Sequence, residues 1–366
     1  MIPQHDTRIS RRAMLRAMLA ASAGAGAVAL VGCGGSDGGE PTPALTPAPA
    51  RPSPTPAPVR ATWAPVAASG GPGPRGDHSV TYHASDGLLY VFGGRRGGVA
   101  TDELWTFDPR SAAWTKLEPA GERPQARFGH NAVYDAAGQR LVVALGQNGS
   151  EFYNDVWAYG AGSWTRLGGG GDAPAVRYGA GAALDPASRR LLISHGFTDR
   201  GRFDDTWGFG LGPAGWSQLD VSGGRPVKRC LTRCAWAGDT RQLLLFGGQT
   251  DGTPFLGDFW VLDADAGRWS EQRPEVLPGP RNLYAAALDP AGARWYVVSG
   301  NTPDGPTDET WAYDIASGGW ARVEAQGSLP ARYSADAAFA SEALYLFGGH
   351  DGQGELNDLW ALRLSA

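Results

Sequence analysis

Six arginines, Arg75, Arg127, Arg177, Arg229, Arg281 and Arg332, recur about every fifty residues along the chain. A guanidinium fork suits a carboxylate, so six of them around one axis would make a site for an anion or a sugar acid. Each copy also carries one acid further on: Glu103, Asp155, Asp205, Asp258, Glu309 and Asp358. Six arginines and six acids match one to one, and a residue present in every copy is expected to serve the copy rather than a single ligand. The arginines are therefore expected to form structural ion pairs.

Ligand chemistry is expected where the copies differ. A short polar loop follows a glycine in each copy, and these loops supply Arg95, Arg96, Asn148, Asp199, Arg200, Asp251, Asn301, His350 and Asp351 as candidates for a ligand-binding face. Variable loops on a rigid scaffold are where binding concentrates. Histidine is sparse. His78 and His130 stand three places after their arginines, where the other copies have Ala180, Thr232, Tyr284 and Ala335; His195 precedes a glycine and His350 follows one. No ligand-spacing motif joins them, so no metal and no cofactor is expected. Cys230 and Cys234 lie four apart; in a straight strand their Cα atoms would be roughly 13 Å apart, beyond disulfide reach, and two free buried thiols are the expectation. No nucleophile elbow, phosphate loop or zinc-protease helix occurs.

These side chains need a scaffold with a period of about fifty residues. In each copy an arginine precedes two apolar runs. The second run ends in a glycine (Phe92-Gly93-Gly94 in the first copy, Phe347-Gly348-Gly349 in the last), and an acid stands two places before a tryptophan. Gln147, Phe197 and Asn301 stand where the second glycine of the doublet is expected. The first copy divides into four β-type segments, about 78–82, 88–92, 103–107 and 114–117, separated by turn signals such as Asp86-Gly87 and Asp108-Pro109. The continuous apolar second segment suits a strand buried on both faces. This pattern resembles the Kelch repeat. The resemblance covers essentially everything from Trp63 onward, and it implies an all-β, six-bladed propeller with four-stranded blades. A second tryptophan marks the outer strand of the first five copies (Trp114, Trp164, Trp216, Trp269, Trp320), but the sixth lacks one. Trp63 has no blade of its own, so Trp63–Val66 is expected to supply the outer strand of the sixth blade and close the ring.

The N-terminal region reads differently. Residues 1–32 have a basic start with Arg11-Arg12, resembling a twin-arginine export signal, and then an Ala-rich run ending in Leu30-Val31-Gly32-Cys33. That ending resembles a bacterial lipobox, which implies lipidation of Cys33 and an exported, membrane-anchored protein facing the periplasm or the cell exterior. Residues 33–60 form a Pro/Ala/Thr-rich tether, and 61–366 the propeller. Without residues 1–32 the basic count falls from 32 to 28 and the acidic count from 37 to 36, a net charge of −8. Such a surface disfavours nucleic acid. A monomer that binds a protein or a glycan is the expected activity, with the membrane contacted only through the lipid. The alternative implied by the resemblance is a carbohydrate-active enzyme, since sialic acid mutarotases and galactose oxidase-like copper enzymes use Kelch propellers.

Overall fold

The computed structural model describes residues 58–213 and 215–365. The export signal, Cys33 and the tether up to residue 57 lie outside the described residues. Among those described every regular element is a β-strand. They form six sheets of antiparallel meanders, which are the blades of a propeller, and four two-stranded hairpins.

The first blade runs Ser79–His83, Leu88–Phe92, Leu104–Asp108 and Ala113–Leu117, in that order from the axis outward. The expected bounds hold to within one residue. Its second strand is buried from Leu89 to Phe92, because neighbouring blades cover both faces. Six apolar clusters each span two neighbouring blades. Phe92, Leu104, Val143, Trp157 and Trp164 fill the interface of blades one and two. Leu344, Leu346 and Leu362 meet Tyr296 and Val298 between blades six and five.

The ring closes as the sequence predicts. Arg60–Pro65 is antiparallel to Leu359–Leu364, with Trp63 opposite Leu362, so an N-terminal strand completes the last blade. Trp63 is 4% exposed, and its indole N–H donates to Thr310 Oγ1 at 3.2 Å. Two blades carry a fifth strand that the repeat did not announce. Ser222–Gly223 runs parallel to Arg268–Gln272 in blade four, and Glu324–Gln326 runs parallel to Arg60–Pro65 in blade six.

Candidate functional site: a crown of hairpins

Strand direction alternates, so the arginines, the ends of the second strands and the starts of the third strands share one face. Each arginine is at most 1% exposed. Its guanidinium is held on three sides within its own blade. Nε donates to the carbonyl two residues back at 2.9–3.2 Å. Nη1 donates to the carbonyl closing the second strand at 2.9–3.1 Å. The repeat acid accepts at 2.5–2.7 Å. That acid also accepts the indole N–H of the tryptophan two places on, at 2.6–3.3 Å. Burial alone would raise the Asp155 carboxyl, but hydrogen bonds from Arg127 and Trp157 and the charge of Arg127 hold it below the ordinary carboxylate value. The same balance lowers Asp205, Asp258 and Asp358. With Nε, Nη1 and Nη2 all engaged and the side chain at most 1% exposed, these guanidiniums are not offered to a ligand.

The arginine backbone stitches blades together. Each arginine carbonyl accepts an N–H from the preceding blade's Gly94, Gly146, Gly196, Gly248, Gly300 or Gly349, at 2.9 Å in every case. This register corrects the glycine alignment. The second glycine of the doublet is present in all six blades, and the first position is the one that varies, occupied by Leu145, His195 and Ser299. Those three keep the left-handed φ of 60–66° that Gly93, Gly247 and Gly348 adopt at 58–63°. The second glycine is kept because a Cβ on Gly300 would meet Tyr284 Cβ at 2.8 Å and the Asn282 carbonyl at 3.1 Å.

Two residues beyond each arginine, a closed loop of backbone hydrogen bonds encircles the axis. Asp77, Gly129, Gly179, Leu231, Leu283 and Ser334 each donate N–H to the equivalent carbonyl of the preceding blade, at 2.7–3.4 Å. Asp77 donates to Ser334, so the circle is complete.

Above this circle the loops after the glycines rise as hairpins. Arg95–Arg96 pairs with Val99–Ala100, Gln147–Asn148 with Glu151–Phe152, Phe197–Thr198 with Gly201–Arg202, and Asn301–Thr302 with Gly305–Pro306. In blade four the second strand runs on to Gly248 and the third starts at Leu256; in blade six His350 bridges Glu355. The nine candidate residues thus lie on one face but are spread over all six blades. Arg96, Asn148, Asp199, Arg200, Asp251 and Asp351 are exposed, while Arg95, Asn301 and His350 are half-buried.

Several candidates tie the crown together. Arg95 is paired with Asp77 and stands 4.8 Å from the Phe128 ring. Asp251 is paired with Arg202 of the preceding hairpin. Glu355 accepts the Gly97 N–H at 2.7 Å, and the Asn282 amide donates to Gln249 at 3.2 Å. His350 stacks on Tyr333 at 5.1 Å and accepts the Gly352 N–H on Nδ1. Asp351 caps its own loop by accepting N–H from Gln353 and Gly354, both at 2.8 Å, and these bonds hold its carboxyl below the ordinary value.

Sequence reasoning missed the residues between the candidates. Phe128, Tyr178 and Tyr333 each stand one place after a repeat arginine and bridge to the residue after the second glycine. Phe152, Tyr178 and Phe197 form an aromatic strip with centroids 5.9–6.4 Å apart. Variation at that one repeat position was the available signal. Burial raises both the Tyr178 phenol and the Cys230 thiol. Cys230 and Cys234 are free and buried. The Leu231 backbone between them is left-handed, with φ 57°, and Cys230 alone joins this face.

The repeat histidines are buried between blades and not exposed on the crown. His130 Nε2 lies 2.9 Å from Ser79 Oγ and its ring meets Phe92 edge-on; His78 packs edge-on to Phe347. Burial lowers His78 and His195 to about 3 and His130 well below its ordinary value.

A family model described as the KLHDC2/KLHL20/DRC7 Kelch-repeats domain matches residues 57–248 and 234–366. The chain is 39% identical over 89 residues to the Rab9 effector protein with kelch motifs of Xenopus laevis, covering 24% of each. It is 29% identical over 153 residues to acyl-CoA-binding domain-containing protein 4 of Arabidopsis thaliana, covering 41% of this chain and 22% of that one. It is 26% identical over 306 residues to the leucine-zipper-like transcriptional regulator 1 homolog of Drosophila melanogaster, covering 79% of this chain and 26% of that one. The chain therefore spans only about a quarter of the length of each of these relatives.

Proposed function

The chain belongs to the KLHDC2/KLHL20/DRC7 Kelch-repeats domain family, and from that membership we propose that it is a protein-binding scaffold whose crown of hairpins carries the partner. The observation that carries this reading is the crown itself: six loops of different sequence, four of them two-stranded hairpins, rise from an identical stitched base. Cross-ties such as Arg202–Asp251 and Glu355–Gly97 hold the hairpins in place before a partner arrives. A surface ordered in advance loses little conformational freedom on binding. The relatives include a protein named as an effector, which favours a protein partner over a glycan.

The proposal extends to the cell envelope, through lipidation of Cys33. The chain enters the propeller at Arg60, whose neighbour Ala61 pairs with Leu364 at the face opposite the crown. Replacement Cys33→Ala is expected to move the protein from the membrane fraction to the soluble fraction; unchanged fractionation refutes the anchor.

Photo-crosslinkable residues in place of Arg200 and Asp351 on the crown, and of Glu342 on the opposite face, test the binding reading in cells. Crosslinked protein is expected from the crown positions and not from Glu342. Crosslinks from Glu342 alone, or saturable binding of a glycan with no protein adduct, would overturn it.

A further inference from the structure

At the end of the channel opposite the crown, each first strand finishes seven or eight places after its arginine. The eighth place holds Asp135 and Asp185 at the strand ends of blades two and three, and Asp289 just past the strand end of blade five. Two of these acids receive an arginine from the turn of the following blade. Arg189 Nη2 lies 2.7 Å from Asp135 Oδ2, and Arg241 Nη1 lies 3.6 Å from Asp185 Oδ2. Both arginines sit at a left-handed turn position, with φ 50° and 51°. Asp289 has no such partner among the described residues. The following blade turns at Ser341 and Glu342, and no arginine stands there. Within its own blade, Arg294 turns away to Asp314 at 3.3 Å, whereas the equivalent Arg140 bonds Asp135 at 3.0 Å. Asp289 keeps one bond, accepting the Ala293 N–H on Oδ1 at 2.8 Å.

Asp289 borders a cavity of about 410 Å³, within the range of small-ligand sites. Between blades four and five, which supply most of its lining, both members of the inter-blade pair are missing. Ala237 stands at the acid position, and Gly292 at the left-handed turn position. Its apolar lining comes from side chains that include Ala183, Ala235, Ala287 and Leu288, with Trp236 beside them, and the rest of the wall is polar. Its charged lining residues are Asp239 and Asp289, and no lysine or arginine lines it. The nearby Arg241 is occupied by Asp185 and by Asp265, the latter at 2.8 Å.

We propose that this cavity binds a guanidinium carried on an aliphatic stem, with Asp289 taking the role toward it that Asp135 and Asp185 take toward Arg189 and Arg241. The fork of a guanidinium fits a carboxylate through two parallel hydrogen bonds, and the alanine and leucine wall covers the stem. The ligand is either a free alkylguanidinium or an arginine side chain presented by another protein. The site lies on the face opposite the crown and does not depend on the crown's partner.

Titration calorimetry on the full chain tests this with butylguanidinium, the blocked tripeptide Ala-Arg-Ala and butanoate. Butylguanidinium is expected to bind one to one and butanoate not at all. Asp289→Asn, which retains an acceptor for the Ala293 N–H, is expected to weaken binding at least tenfold. Ala287→Leu, which fills the cavity without touching the carboxylate, is expected to do the same with the fold intact by circular dichroism. Binding of the tripeptide as well identifies a protein's arginine as the ligand, and binding of butylguanidinium alone identifies a free cation. Absence of binding at millimolar probe, equal binding of butanoate, or affinity unchanged in both variants overturns the proposal.

Discussion

Ser299 holds a left-handed backbone with φ 60°, and its hydroxyl is buried with no hydrogen-bond partner. Three of the six blades put glycine at this position. Replacement Ser299→Gly relieves about 1 kcal/mol of backbone strain and removes an orphan hydroxyl worth roughly 1–3 kcal/mol. The greater freedom of glycine in the unfolded chain returns up to about 1 kcal/mol. Net stabilisation of about 1 kcal/mol is expected from denaturant titration, and a loss of stability would show that the hydroxyl has a use. A pH dependence arises from His78, His130 and His195. Their folded pKa values lie below the unfolded value, at about 3 for His78 and His195. The unfolded chain therefore binds protons first as pH falls. Stability is expected to drop from about pH 6.5 towards pH 3, by up to about 1.4 kcal/mol per pH unit for each histidine. Replacing His130 with Gln should flatten the melting temperature between pH 7 and pH 4. Residue chemistry was only partly legible in the sequence. The pairing of arginines with acids could be counted, but the glycine doublet was aligned one place late, because Leu145 and Ser299 look like ordinary ends of apolar strands. Asp289 could not be singled out, since its distinction is a missing arginine in a turn whose length differs from blade to blade.

The strand Arg60–Pro65 is the element on which the ring depends. It covers Leu362 and the outer side of blade six, and buries Trp63 against blade five. Deleting Thr62–Ala67 removes this cover and leaves an open sheet edge. Burial of one tryptophan is worth about 3–5 kcal/mol, so the melting temperature should fall by roughly 10 °C or more. A deletion that left melting unchanged would mean the ring closes by other contacts. The strand was legible because Trp63 was left over when the outer tryptophans were counted. The fifth strands were not, since Ser222–Gly223 is two residues long and has no apolar pattern to read.

For the molecule as a whole, stitching and recognition are separated. Bonds that recur in every blade hold the ring, and the hairpin tips take no part in them. Replacing the exposed tip residues Ser150, Arg200 and Asp304, none of which holds a left-handed backbone, should therefore change partner binding while altering stability by no more than about 0.5 kcal/mol each. A large loss of stability would show that the crown is itself structural. No blade can leave the circle at the axis without breaking two of its links. Native-state hydrogen exchange at the Gly129, Gly179 and Leu231 amides should thus proceed only through global unfolding. The circle has one more consequence. Its six hydrogen bonds run in one sense, each residue donating its N–H to the blade before it and offering its C=O to the blade after it. Every N–H and C=O of the circle is thereby paired, so it presents no row of unsatisfied donors or acceptors of the kind that charges a helix end. A helix terminus at this mouth would attract ions of one sign. This circle attracts neither, and any charge preference of the crown must come from the side chains of its hairpins.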